Sequence, residues 1–292
     1  MRKNLIGFFW GILVLCSPPL LLDAEIIETN EIKVVLEHIE NDSMVLFNLT
    51  NTLYKPYSTV AEFRWREYFD KRVKELVPQP EIHQRITNQI KNTIVTQIPK
   101  KAVDDFTTKI IADLQEQHVV ALGITKKEFS TSFANNFGYI THKHLQSLGI
   151  NFEKTLDYLE VDPLITLPAY TFAHGIIFSN KKAIGPTLLD FLKDLPSKPH
   201  QIIYVDNSLQ SLETTQVSLD TLKISFCGLN YGVSELDDQN LDYTLGIIEL
   251  FALLNENVCL SDAEAFQIKL SHPEIDYQLM LDRFILQKAQ ES

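Results

Sequence analysis

Four apolar runs in this 292-residue chain end in side chains that could do chemistry. Val45-Leu46-Phe47 runs into Asn48, Thr50, Asn51 and Thr52; Val119–Ile124 ends in Thr125; the run through Ile176–Phe178 precedes Lys181-Lys182; and Ile202–Val205 ends in Asp206-Asn207. Asn48 is a neutral carboxamide and therefore a poor nucleophile. Thr50 cannot serve as a general acid or base near neutral pH, a role worth about 10²–10⁴ in rate. Thr125, with Lys181 or Lys182 and nearby backbone N–H groups, could hold phosphate or another anion. A hydroxyl at a strand end also commonly satisfies the backbone, so a structural role for Thr125 stays open. Asp206 is the one carboxylate of the set. Mg²⁺ prefers several carboxylate and water oxygens, so a metal site here would rest on a single anion.

These side chains need a scaffold that brings strand ends together. Continuous apolar runs suit strands buried on both faces of a parallel sheet, whose polar carboxyl ends open onto a crevice. Ligands of open α/β sheets bind in that crevice. Between the runs the pattern turns helical: Ile32–Ile39, Thr59–Val77 with Ser58 as its N-cap, Glu81–Ile98, Lys101–Gln117, Phe129–Leu148 and Thr187–Leu195. Glu81–Ile98 carries Ile82, Ile86, Ile90, Ile94 and Ile98 at steps of four, a packing stripe. A strand over Lys223–Cys227 and helices over Leu245–Asn255, Ser261–Leu270 and Ile275–Gln287 complete the chain. Ser261-Asp262-Ala263-Glu264 reads as a capping box. Strand alternating with helix is the signature of a parallel sheet flanked by helices.

The order of the four polar ends resembles the haloacid dehalogenase (HAD) superfamily, and within it an uncharacterised secreted bacterial branch. Phe63–Tyr68, Gly149–Phe152, Gly175–Ser179 and Leu260–Ala265 extend the likeness over residues 25–270. The resemblance implies an α/β, Rossmann-like parallel sheet with a helical cap inserted after the first strand. On it, residues 25–54 and 99–292 form the core and 55–98 the cap. It puts Asn48 at the position of the nucleophilic aspartate and Thr50 at that of the acid/base aspartate. Thr125 and Lys181 or Lys182 then stand for the phosphate-binding pair, and Asp206 for the acid that holds Mg²⁺. With both catalytic aspartates replaced, the expectation is a pseudoenzyme acting as a binding or interaction module, with no cofactor. Its partner would be a small anionic ligand or another protein. The rival expectation is a Mg²⁺-dependent phosphohydrolase using atypical residues.

Composition narrows the setting. A net charge of −12 disfavours nucleic acid as a partner, which would want a basic face. Arg2-Lys3, the uncharged run Leu5–Cys16 and the break at Ser17-Pro18-Pro19 form a leader too short for a membrane span. Residues 1–24 therefore read as a signal peptide and the chain as exported, with a retained anchor the alternative. Cys227 and Cys259 remain after cleavage, either as a disulfide or as two separate thiols. His142-Lys143-His144 lies on a helix, where residues two apart do not share a face, which disfavours a joint metal site.

Overall fold

The computed structural model describes residues 24–129, 137–233 and 241–291. Residues 1–23 of the expected leader, and residues 130–136 of the helix expected over Phe129–Leu148, lie outside the described residues. The first half of the chain forms β1 (Ala24–Thr29), β2 (Ser43–Asn48), β3 (Tyr54–Pro56), α1 (Phe63–Leu76), α2 (Pro80–Gln97) and β4 (Lys100–Ala102). There follow α3 (Thr107–Glu116), β5 (Val120–Thr125), α4 (Phe137–Ser147), α5 (Leu156–Leu159), β6 (Leu164–Thr166), β7 (Thr171–Ala173) and β8 (Ile176–Phe178). The last part contributes α6 (Ile184–Asp194), β9 (Gln201–Asp206), α7 (Leu209–Asp220), β10 (Ser225–Tyr231), α8 (Tyr243–Glu256), α9 (Asp262–Ser271) and α10 (Tyr277–Gln290).

Eight strands make one sheet in the order β1-β10-β9-β2-β5-β8-β7-β6. The first six pair in parallel, and β7 and β6 close one edge antiparallel. The middle of the sheet is buried on both faces because β2, β5 and β9 are apolar at nearly every step. Val45 and Phe47 of β2, with Ile203 and Val205 of β9, pack against Ile110, Ile111 and Leu114 of α3 and Leu145 of α4. Met44, Leu46, Ile202 and Tyr204 face the other way, onto Leu188 and Phe191 of α6 and Leu212 and Leu219 of α7. The protein is thus α/β, with a mostly parallel sheet between helical layers.

A third core lies apart from the sheet. The isoleucines of α2 and Trp65, Phe69 and Val73 of α1 pack against Ile247, Leu250 and Leu253 of α8 and Leu281 and Ile285 of α10. Arg72 of α1 forks onto Asp282 of α10, with Nε–Oδ1 at 2.7 Å and Nη2–Oδ2 at 2.6 Å. The helices after residue 242 therefore complete the body that α1 and α2 begin. Where α8 crosses α1, Gly246 leaves no room for a side chain: a Cβ there would stand 2.1 Å from Nε1 of Trp65. That indole N–H donates to the Tyr243 carbonyl at 3.1 Å, which holds the ring in place. Gly246→Ala is expected to lower stability by about 1–3 kcal/mol, as overpacking does, read as an earlier urea midpoint.

Several local expectations are displaced. The segment after Ser58 makes a 3₁₀ turn over Thr59–Ala61 before α1 starts at Phe63, and the Ser58 side chain does not cap it. The turn's N–H groups go elsewhere, Thr59 to Asp262 and Val60 to Glu249, both at 2.7 Å. The helix expected from Lys101 begins at Thr107, because Lys100–Ala102 pairs with β3 as a strand and Asp104 turns the chain. Ile32–Glu37 is 3₁₀. β1, β3, β4, β6 and β7 are strands that the sequence reading did not separate. Ser261 and Glu264 do form the reciprocal capping box at the start of α9.

Candidate functional site

The strand order decides which polar ends meet. β2 lies between β9 and β5, with Phe47 opposite Val205 and Asn48 opposite Ile124. That register carries Asn48, Thr125 and Asp206 to one rim of the sheet. Asn48, Thr50, Thr125, Lys181 and Asp206 all line a single cavity of about 900 Å³ there. Lys182 does not: it is exposed and donates to the Pro168 carbonyl.

The Asn48 amide sits in a cage of oxygens. Its Nδ2 donates to Asp206 Oδ1 at 2.8 Å, with the Thr50 carbonyl, Thr52 Oγ1 and Asn207 Oδ1 at 3.2–3.4 Å sharing its two hydrogens. On the other side the Leu49 N–H donates to Asn48 Oδ1 at 2.9 Å. Reversing the amide would set its oxygen against the Asp206 carboxylate and its NH₂ against a donor, so the network fixes the orientation.

Asp206 is 2% exposed, and its oxygens are engaged. Oδ1 accepts from Asn48 and from the Ser208 N–H at 3.2 Å, while Oδ2 accepts from the Tyr204 hydroxyl at 2.5 Å. Burial raises its pKa above the usual carboxylate range, and these hydrogen bonds work against that shift. The Tyr204 hydroxyl is pushed well above its ordinary value by burial and by Asp206, so it stays a donor.

Around this rim the hydroxyls and cations are arranged unevenly. Thr125 is buried, and its Oγ1 accepts a long 3.4 Å bond from the Lys127 N–H. Lys181 is mostly exposed and paired with Glu128 at 2.7 Å. Sequence reasoning passed over Arg66, Lys91, Lys100 and Lys127, all of which line the same cavity. Arg66, Lys100 and Lys127 are scattered in sequence and share no motif, so periodicity carries no signal for them. Asn88, Lys91, Asn92 and Val95 offered one: they repeat at i, i+3, i+4 and i+7, so α2 gives the cavity the face opposite its isoleucine stripe.

The other candidates separate. His144 lines the cavity, 6.5 Å edge-on to Tyr54, whereas His142 stacks on His174 at 4.0 Å. Glu153 bonds His174 Nδ1 at 2.7 Å and completes a His142–Glu153–His174 cluster. Cys227 is a free thiol buried in β10, and Cys259 is a free thiol beside the Gln97 carbonyl at 3.4 Å. No helix among the described residues is long and apolar enough to cross a membrane.

A mostly parallel α/β sheet with a cavity at its carboxyl rim defines the class. The model of a family described as "Protein of unknown function (DUF2608)" matches residues 25–275, and the chain belongs to that family. It is similar to an uncharacterised protein of Rickettsia prowazekii (strain Madrid E), 23% identical over 243 residues, covering 82% of this chain and 87% of the relative. No solved structure matches it.

Proposed function

We propose that the chain is an exported HAD-like protein that has lost phosphatase chemistry and acts as a binding module, holding a phosphate-type anion in the rim cavity. The observation that carries this reading is the 2.8 Å bond from the Asn48 amide to Asp206. A HAD phosphatase needs a nucleophilic carboxylate and a bound Mg²⁺ at these positions. Here an N–H donor fills the centre of the oxygen cage, and the one carboxylate has both oxygens engaged by donors. Mg²⁺ wants several anionic or water oxygens in a tight octahedron, which this donor set does not supply. Further support comes from the strand order β10-β9-β2-β5-β8, which suits the motif order of the superfamily. Thr125 and Lys181 lie beside the cage on a rim rich in cations, suited to an anion.

The test is a pair of measurements on the purified protein. A general phosphomonoester with Mg²⁺ is expected to show no turnover, and millimolar inorganic phosphate is expected to raise the melting temperature. A ligand that binds only the folded state at about 100 times its Kd adds about 2.7 kcal/mol. Thr125→Val is expected to remove that gain. Turnover abolished by Asp206→Ala would overturn the reading in favour of a Mg²⁺-dependent phosphohydrolase.

A further inference from the structure

Besides the strand ends, the cavity is lined by cations. Arg66 comes from α1, Lys91 from α2, Lys100 from β4 and Lys127 from the turn after β5. A chain of net charge −12 has gathered these four cations around one hollow. Among the described residues Lys91, Lys100 and Lys127 form no ion pair. Lys127 Nζ donates instead to the Tyr54 hydroxyl at 2.8 Å and lies 5.2 Å from that ring's centre.

Burial, with repulsion from Lys127 and Arg66, lowers Lys100 to about 8. Arg66 is held below its ordinary value by burial, and Glu62 offsets the shifts of both only in part. His144 is pushed down to about 4 by burial and by Lys100 and Lys127, so it is neutral there. Glu128, which lines the same cavity, is paired with Lys181, so among the described residues no acid is bonded to Lys91, Lys100 or Lys127.

Lys127 touches the rim through its backbone N–H on Thr125 Oγ1, whereas Arg66 and Lys100 come from elements outside the main sheet. Burial and hydrogen bonds govern Asp206, and no cation is among the influences on it. A cavity of about 900 Å³ is far larger than one phosphate requires and lies within the ~300–1,000 Å³ usual for organic ligands. Ile94, Val95 and Ile140 also offer the cavity apolar surface, and Asn88 and Asn92 offer amides.

We propose that the cavity takes a small organic molecule anionic at both ends, one end on Arg66, Lys100 and Lys127 and the other at the Thr125 rim. The rim end rests on the function proposed above; the cationic end stands on its own residues.

The experiment is calorimetry on the full chain near pH 7 with two probes. Fructose bisphosphate carries phosphate at both ends, and fructose monophosphate at one. The bisphosphate is expected to bind at least about tenfold tighter. Lys100→Met is expected to remove that advantage. Lys91→Ser, at an exposed position that folding tolerates, is expected to weaken the bisphosphate by about threefold. Equal affinity of the two probes, or no binding of the bisphosphate at millimolar concentration, would overturn the proposal. Lys100→Met without effect on the bisphosphate would overturn the cationic end alone. Thr125→Val that weakens neither probe would overturn the rim end, and with it the reading of the rim as a phosphate site.

Discussion

Asn48→Asp is expected to destabilise the protein by about 2–4 kcal/mol near pH 8 without divalent metal, a cost typical of a buried charge with no partner. The change turns the Nδ2–Oδ1 contact of 2.8 Å into one between two carboxylates. Two carboxylates that close cannot both ionise cheaply, and one pKa must rise strongly. Asp206 is already raised by burial, so it is the group that protonates first. The sign follows: the folded state then binds a proton that the unfolded state has released, so stability falls as pH rises above the ordinary aspartate range. Lowering the pH to about 5 should recover most of the loss, because one proton then bridges the pair. Millimolar Mg²⁺ at about pH 8 should recover it too, since the new carboxylate, Asp206 and the Thr50 carbonyl supply the oxygens that the amide had occupied. Urea midpoints at the two pH values, with EDTA or Mg²⁺, read both effects. A variant as stable as the parent at pH 8 in EDTA would show that the amide does not bridge to Asp206. If the HAD reading holds, adding Thr50→Asp should bring measurable Mg²⁺-dependent hydrolysis of a phosphomonoester.

Glu249→Gln should abolish a large pH dependence of stability. Glu249 is 1% exposed on α8, where its Oε2 accepts from the Val60 N–H at 2.7 Å. Its Oε1 has no donor, and the Asp262 carboxylate lies next to it. A proton on Oε1 is what lets two acids adjoin in this place. Burial first, and then Asp262, raise the pKa from 4.5 to about 9. The folded state therefore holds a proton that the unfolded state has lost between those values. Stability is fully present below about 4.5 and declines as pH rises towards 9, levelling only above it. At about 1.4 kcal/mol per pH unit, some 2–4 kcal/mol should be lost between pH 5 and pH 8. An amide at this position keeps the acceptor for Val60 and donates to Asp262 at every pH. Glu249→Gln should thus be the more stable protein at pH 8 and nearly flat across the range, with urea midpoints at four or five pH values as the check. A wild-type profile that rises from pH 5 to pH 8 would overturn this assignment. The consequence is structural as well as electrostatic, because Glu249 and Asp262 hold the turn that leads from the rim into α1.

What could be read from the chain alone is what burial writes locally. Strands covered on both faces must be apolar at every step, so β2, β5 and β9 announced themselves as continuous runs. Their polar last residues, Asn48, Thr125 and Asp206, were visible as candidates because a run of that kind breaks only where the chain meets water or a site. Helices with one buried face showed their period, and Ser261–Glu264 showed its cap. Short strands at the margins did not. β1 is half-buried and mixes Glu25, Glu28 and Thr29 with its apolar residues, and β3 and β4 are three residues each, too short to establish a period.

Local pattern did not say which of those ends meet; the resemblance implied it, and the tertiary structure supplied the contacts. The contact between Asn48 and Asp206 joins residues 158 apart, and nothing in either neighbourhood specifies the other. The same holds for the helical body. The isoleucine stripe of α2 declared that it needed a partner, yet that partner, α8 and α10, lies near the far end of the chain. The cationic wall was the least legible part. Lysine and arginine are ordinary surface residues in sequence, and their meaning arises when folding turns four of them towards one cavity. Apolar pattern is a property of neighbours along the chain, whereas charge complementarity is a property of neighbours in space, so the first is written in the sequence and the second waits for the fold.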